Sequence, residues 1–404
     1  MSPSTPNTRR LAVTLTGAAE HAVKQGHPWV FADGIKSASF NAPTGTTAIV
    51  FDRFDRMIGL GLWDSRSQIR LRMLGTGKFR FDAAWIDARI ADSVARRGDL
   101  PARHSGWRAV YGESDGLPGL VVDLYAKTAV IKLYTSAWAP HLATLVDVCT
   151  RRFAVERVVL RTSRNMQDDP ALGNLADGSM LFGSAPEGPI IFDEYGIKFR
   201  ADVISGQKTG FFLDQREHRR RVGTASRGAH VLNTFAYSGG FSLHAAAGGA
   251  AAVTSLDLAK PAIDEASANW KLNIEDPNIA ACRHTTLVAD AFGALEAMRR
   301  MDERFDIVIL DPPAFAKRAD EIDRAVDAYR RLTLLGLAVL RPGGLLVTCS
   351  CSRPVTTDTF VDAVKAAALL ARRPLRDLHV GGHPPDHPTT FAPLSYLKSL
   401  FFRA

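Results

Sequence analysis

The chain predicts an α/β protein: a parallel sheet flanked by helices in its C-terminal half, preceded by a small β-barrel and a small central α/β domain. Three patterns carry that prediction. From Pro189 onward the β-rich runs AHVLNTF, AAVTSLD, HTTLVAD, FDIVILD and GGLLVTCS alternate with helical segments near 241–247, 261–273, 291–300 and 320–340. Repeated strand–helix units of this length build a parallel sheet covered on both faces. From Arg9 to Leu74 the short segments LAVTLT, TTAIVFD, MIGLGLWD and IRLRML, punctuated by Gly, Asp and Asn, read as a barrel or sandwich. Between Trp107 and Ser184, RAVYGES, GLVVDLY, TAVIKLY and VERVVLRT read as strands, with a helix over Trp138–Phe153.

Taken in order, residues 1–8 are polar and Pro/Ser-rich and read as a disordered tail. Residues 9–78 form the first domain, with one helix near Ala18–Gln25. Residues 79–188 hold a connector helix over Arg80–Arg97, with Phe81, Trp85, Ile86 and Ile90 on one face, and the central domain. Its end, 165–188, is polar and rich in Gly and Pro, a loop or hinge. Residues 189–404 open with a hairpin, IIFDEYGIKFRADV, turned at Glu194-Tyr195-Gly196, and continue as the parallel sheet.

Composition narrows the function classes. Over 404 residues, 46% hydrophobic and 23% charged is the balance of a soluble globular protein. No apolar run approaches the roughly 20 residues of a spanning helix, and the first residues lack a secretory signal, so the expected location is cytoplasmic. The net charge of +8 favours a polyanionic partner, nucleic acid before membrane because no basic amphipathic anchor is present. Of the four cysteines (Cys149, Cys282, Cys349, Cys351) none has zinc-site spacing, and no metal is expected. Cys349 and Cys351 are two apart, which on a strand places them on one face.

In open α/β sheets ligands sit outside the C-terminal strand ends. The first strand delivers Asn233-Thr234-Phe235-Ala236-Tyr237-Ser238-Gly239-Gly240, two glycines opening a helix whose free N–H groups face a ligand. It lacks both the dinucleotide and the phosphate-loop signatures. The second strand ends at Asp257, a carboxylate suited to two ribose hydroxyls. The third ends at Asp290-Ala291-Phe292, suited to an adenine. The fourth ends at Asp311-Pro312-Pro313-Ala314-Phe315 and the fifth at Thr348-Cys349-Ser350-Cys351-Ser352. Singly, each Asp could be a helix cap; three in this order, at successive strand ends, point to a nucleoside cofactor. A thiol at the sheet mouth suits attack on C6 of a pyrimidine, which makes C5 nucleophilic.

Together these segments resemble the bacterial large-subunit ribosomal RNA methyltransferase I family, over about Leu11 to Arg403. The match is carried by Gly26-His27-Pro28-Trp29-Val30-Phe31, by 113–123 (ESDGLPGLVVD), by 205–216 (SGQKTGFFLDQR), by Asp311-Pro312-Pro313-Ala314-Phe315, and by Asp386-His387-Pro388 and Tyr396-Leu397-Lys398. The resemblance implies an N-terminal PUA domain, a central α/β domain and a Rossmann-like class I methyltransferase sheet ending in an antiparallel strand at Tyr396–Phe402. It implies S-adenosylmethionine as cofactor, 23S ribosomal RNA as partner and 5-methylcytosine as product. Cys351 falls on the nucleophile segment, with Asp311 beside it as a second catalytic group; Cys349 falls where no obligatory Cys is expected. The cofactor would be held by Asn233, Thr234, Phe235, Tyr237, Ser238, Gly239, Asp257, Asp290, Ala291, Asp311 and Pro312. The Gly206–Arg216 segment, with Thr209 and Phe212, would close over it. Asn233 departs from the Asp or Glu usual in this class, which removes a charge attraction to the cofactor's ammonium.

For RNA contact the candidates are Arg66, Arg70 and Arg72, the latter two alternating on one strand face, and Arg216, Arg219 and Arg220 before the first catalytic strand. A homodimer is left open. Two alternatives stand beside 5-methylcytosine formation. One is base N-methylation through the Asp-Pro-Pro loop without a covalent adduct. The other is an RNA-binding protein with an inert methyltransferase fold, which the Asn233 departure alone favours.

Overall fold

The computed structural model describes residues 10–167 and 169–404; the expected tail at 1–8 lies outside them. The chain divides into two compact units. Of the described residues, one comprises 10–167, 169–192, 201–211 and 385–391; the other comprises 193–200, 212–384 and 392–404.

Among the described residues the first unit holds two sheets. In the six-stranded sheet, Leu11–Leu15 pairs in parallel with Thr47–Phe51 and antiparallel with Ile35–Ala38. The remaining strands are Met57–Trp63, Ile69–Thr76 and Trp29–Phe31. Trp29–Phe31 and Ile35–Ala38 were not anticipated: at three and four residues they are too short to show alternation. Leu11, Val13, Leu15, Val50 and Leu71 form the buried interior, and Thr16 caps the helix Gly17–Lys24. The second sheet, five-stranded, is built from Gly106–Tyr111, Leu120–Tyr125, Thr128–Leu133, Arg157–Thr162 and Met180–Phe182, with the helix Leu142–Phe153 against it. Met180–Phe182 lies inside the stretch read as loop, and pairs antiparallel with Arg157–Thr162.

A hairpin, Ile190–Glu194 and Ile197–Ala201, turns with both central residues left-handed, Tyr195 at φ 54° and Gly196 at φ 81°. Such turns match the twist of the strands they join.

The second unit is a seven-stranded sheet of β1 (His230–Thr234), β2 (Ala252–Asp257), β3 (Arg283–Val288), β4 (Phe305–Leu310), β5 (Leu340–Ser350), β6 (Arg376–Gly381) and β7 (Lys398–Arg403), in the order 3-2-1-4-5-7-6. β1 to β5 run parallel, and β7 is antiparallel to β5 and to β6. The helices are α1 (Arg216–Ala225), α2 (Gly240–Ala247), α3 (Lys260–Leu272), α4 (Pro277–Ala281), α5 (Ala291–Arg300), α6 (Ile322–Val339) and α7 (Thr357–Leu370). Leu232, Val308, Leu310 and Leu346 of the strands pack with Leu295, Tyr329, Leu332 and Phe360 of α5, α6 and α7. This is the predicted fold, a Rossmann-like sheet, with four elements the sequence did not disclose: α1, α4, α7 and β6. The buried side chains of α1 include Arg216, His218 and Arg219, so an apolar stripe could not reveal it. β6 is largely exposed.

Candidate active site

Everything the parallel strands deliver at their C-terminal ends lies in the second unit. β1 runs into a loop in which Phe235 (φ 58°), Tyr237 (φ 46°) and Gly239 (φ 78°) are all left-handed. Two side-chain-bearing residues in that region store strain, which persists only where neighbours over-determine the backbone and which clusters at ligand sites. The neighbours are present. Ala236 N donates to Leu256 O at 2.9 Å, Tyr237 N to Asp257 Oδ2 at 2.9 Å, and Asn269 Nδ2 to Ser238 O at 2.9 Å. α2 starts at Gly240, where an added Cβ would sit 2.8 Å from Arg219 Cδ. Asn233 is fully buried; its Nδ2 donates to Ser242 Oγ at 2.9 Å, and its Oδ1 has no hydrogen-bond partner.

Asp257 accepts from Tyr237 N on one oxygen and from Ala259 N on the other, both at 2.9 Å. Asp290 caps α5 through Gly293 N at 2.9 Å, so the capping role weighed for these acids is real at this strand end. Its side chain is exposed, with oxygen lone pairs still available to a ligand.

At the ends of β4 and β5 a polar network holds the two remaining loops. Asp311 accepts from Gln215 Nε2 at 3.0 Å on both oxygens, and Gln215 Oε1 lies 2.6 Å from His218 Nδ1. Burial lowers the His218 ring to about 4, which keeps it neutral. With Nδ1 protonated it donates to Gln215 Oε1 and turns the amide N–H groups toward Asp311. Ser399 Oγ lies 3.0 Å from His218 Nδ1 and donates to Cys349 Sγ at 3.1 Å. Cys349 is fully buried, and burial pushes its thiol well above the ordinary range; Cys149 and Cys282 are pushed up to about 12 and about 11. Cys351 alone among the four is partly exposed. The shared face expected for Cys349 and Cys351 does not form, because β5 ends at Ser350 and Cys351 begins the following loop. Ser352 Oγ joins the loops, accepting from Ala316 N at 3.1 Å and lying 2.8 Å from the Tyr329 hydroxyl; Ser350 Oγ donates to that hydroxyl at 2.9 Å. Lys398 Nζ donates to the carbonyls of Ser352 and Val355, each at 2.7 Å. Gln215, His218, Tyr329, Ser350, Ser352 and Lys398 escaped the sequence reading as site residues. Gln215 and Lys398 lay within segments already singled out, but neither has a pattern of its own.

Several expected contacts are corrected by burial. Thr209 is fully buried in the first unit, where its hydroxyl donates to Asp123 Oδ2 at 2.6 Å and lies 2.9 Å from the Tyr125 hydroxyl; it is an interior residue there. Phe212 is half-buried and edge-on to Tyr237, with ring centroids 5.0 Å apart. Arg72 is 5% exposed and lies 3.8 Å from Asp64, so it cannot share a phosphate-facing surface with Arg70. Arg216 is fully buried and Arg219 nearly so, and both attend Glu194: Arg219 as a bidentate pair at 2.7 and 2.6 Å, Arg216 at 3.6 Å. These arginines balance an internal carboxylate. Arg66 and Arg220 are exposed, and Arg70, half-buried, donates to the carbonyls of Asp64 and Ser65.

Comparison with known proteins agrees with this geometry. The profile of the S-adenosylmethionine-dependent methyltransferase family matches residues 179–403, and that of the PUA-like domain matches 13–76. A "Ribosomal RNA large subunit methyltransferase" of Deinococcus radiodurans is 44% identical, with both chains covered in full. A "Ribosomal RNA large subunit methyltransferase I" of Shewanella denitrificans is 33% identical over 97% of this chain and 99% of its own. The chain belongs to the ribosomal RNA large subunit methyltransferase I family. Among solved structures, a protein of Streptococcus mutans described as a SAM-dependent methyltransferase shares the fold at TM-score 0.79 and 21% identity, over 97% of this chain and all of its own. Another, described as a methyltransferase complexed with SAH, reaches 0.81 at 22% identity, over 98% and 100%. The family's cofactor is S-adenosylmethionine, and the strand ends of this methyltransferase fit it. They offer a buried acceptor without a partner on Asn233, a strained loop that brings backbone to a ligand, and carboxylates after β2 and β3.

Proposed function

We propose that this methyltransferase forms 5-methylcytosine in large-subunit ribosomal RNA, with Cys351 as nucleophile. The observation that carries the reading is the contrast among the thiols: three are buried and held protonated, while Cys351 is partly exposed beside the Asp311 loop. When bound, S-adenosylmethionine supplies an electrophilic methyl group on a sulfonium. Asp257 would accept the ribose hydroxyls and Asp290 the adenine amino group. Asn233 Oδ1 would accept from the ammonium, with the 234–239 loop, Ala291 and Pro312 lining the rest. The Cys351 thiolate adds to C6 of a flipped cytosine, and the electrons released onto C5 let that carbon take the methyl group as its bond to the sulfonium sulfur breaks, the sulfur leaving as a neutral thioether. Asp311, fixed by Gln215, polarises the ring. A base then takes the C5 proton and the thiolate leaves.

We read 9–78 as the RNA-binding PUA domain, 79–188 as connector and central domain, and 189–404 as the methyltransferase, with Arg66, Arg70 and Arg220 facing phosphates. The runner-up, methylation of a base nitrogen, asks the aromatic after Asp-Pro-Pro to stack on the base. Here Phe315 packs on Tyr329, centroids 4.9 Å apart, which disfavours it. Incubating ribosomal RNA with labelled cofactor and analysing the nucleosides tests the product. Cys351→Ala should lose turnover at least about a thousand-fold, about 4 kcal/mol of barrier, while binding cofactor normally. RNA containing 5-fluorocytosine should trap a covalent complex with the wild type only. A methyl group on nitrogen, or full activity of Cys351→Ala, would refute the mechanism.

A further inference from the structure

Lys398 opens β7 opposite Ser350 of β5 and is only 6% exposed. A buried ammonium costs free energy unless an anion balances it. The cations buried elsewhere in this unit meet that demand with a carboxylate, as Arg216 and Arg219 do with Glu194. Lys398 does not: among the described residues its hydrogen-bond partners are the carbonyls of Ser352 and Val355, and no carboxylate lies within ion-pairing distance. Both carbonyls belong to the loop that begins with Cys351, and Ser352 is its immediate neighbour. The loop carries one further cation, Arg353, two residues from Cys351 and exposed to solvent; the titratable groups packed around the loop from other elements bring none. Tyr329 is held protonated by burial, Cys349 likewise, and His218 is neutral; the Asp311 carboxyl, on the neighbouring strand end, brings no positive charge.

We propose that Lys398 is the built-in counter-ion of the Cys351 thiolate: its ammonium pins the loop that carries the thiol and supplies the positive charge that stabilises the anion. This rests on the reading of Cys351 as the nucleophile, and it makes Lys398 a positioning residue acting through that sulfur. The electrostatics agree. Burial lowers the ammonium to about 8, and the one opposing influence on it is the Cys351 thiolate, which favours its charged form. Near neutral pH the lysine is therefore charged, and a thiolate beside it is favoured.

The test reads the thiol directly, without RNA or turnover. Full-length protein is alkylated with iodoacetamide across a pH series, and the Cys351 peptide is followed by mass spectrometry. In the wild type Cys351 should titrate at least about one unit below the ordinary 9 of a cysteine. Lys398→Met should move that titration up by about one unit or more, slowing alkylation near pH 7 about ten-fold, and Lys398→Arg should restore most of the difference. A merely structural lysine would lower turnover and leave the titration where it was; that result overturns the proposal. Should Lys398→Met not fold, the wild type decides alone, since a Cys351 that titrates at or above 9 also overturns it. Turnover of Cys351→Ala judges the catalytic reading separately, so either can fail without the other.

Discussion

Asp257 shows how one side chain serves both the loop and its ligand. Each carboxylate oxygen accepts one backbone N–H, from Tyr237 and from Ala259, and each keeps a further lone pair for a ribose hydroxyl. Asp257→Ala should weaken cofactor binding by roughly ten- to a hundred-fold, the equivalent of about 1.5–3 kcal/mol for hydrogen bonds to a charged group. Calorimetric titration with S-adenosylmethionine measures it, and an unchanged dissociation constant would remove β2 from the site. Asp257→Asn keeps one acceptor and should fall between the two. At the same scale, burial separates residues that look alike in the sequence. Cys349 and Cys351 differ by two positions, yet the Cys349 sulfur accepts a hydrogen bond inside the sheet while Cys351 is partly exposed.

Among the elements, α1 and α2 approach closely enough to exclude side chains. A Cβ on Gly248 would sit 1.9 Å from Gly223 O, and one on Gly223 would sit 2.7 Å from His244 O. α1 follows directly on Gln215, which holds Asp311, and α2 follows the strained loop, so their separation sets the site from behind. Gly248→Ala should therefore cost about 1–3 kcal/mol by overpacking and weaken cofactor binding as well. Thermal unfolding with and without cofactor checks both, and a melting temperature equal to wild type would refute the close approach. Glu194 works at the same scale. Its bidentate pair with Arg219 fastens the end of the hairpin strand to α1, and the neutral His244 lies 3.0 Å from its Oε1.

Over the whole molecule, histidines held neutral by desolvation contribute to how stability depends on pH; His218 is buried, and His141 and His284 are half-buried. Burial lowers His141 in the first unit, and His218 and His284 in the second, from 6.5 to about 4. The unfolded chain takes up these protons near 6.5, whereas the folded one resists until about 4. Their contribution is therefore complete above about 6.5 and is lost as pH falls toward 4. Each is worth on the order of 2–3 kcal/mol. Melting temperature should hold from pH 8 to 7 and then fall steadily between 6.5 and 4.5; a flat profile there would contradict the neutral, desolvated state of these rings.

The sequence by itself determined the fold class, the family and the strand ends. Alternating β runs and helices dictate a parallel sheet, and in such a sheet the chemistry must collect at the carboxyl ends, wherever else the chain goes. Asn233, Asp257, Asp290, Asp311 and Cys351 were therefore readable as site candidates from order alone. Charge was not readable in the same way. Arg72, Arg216 and Arg219 look like a phosphate surface in one dimension, but they lie inside, and only tertiary structure shows the carboxylates that balance them. Thr209 likewise read as a cofactor contact and proved to be an interior hydroxyl bonded to Asp123. α1 was invisible because the face it buries is polar. The partners of the reactive loops, Gln215 on Asp311 and Lys398 beside Cys351, come from segments 96 and 47 positions away (311 − 215 and 398 − 351). Such pairings arise only when the sheet closes, since hydrogen bonds and counter-charges depend on distance in space, which local pattern does not encode.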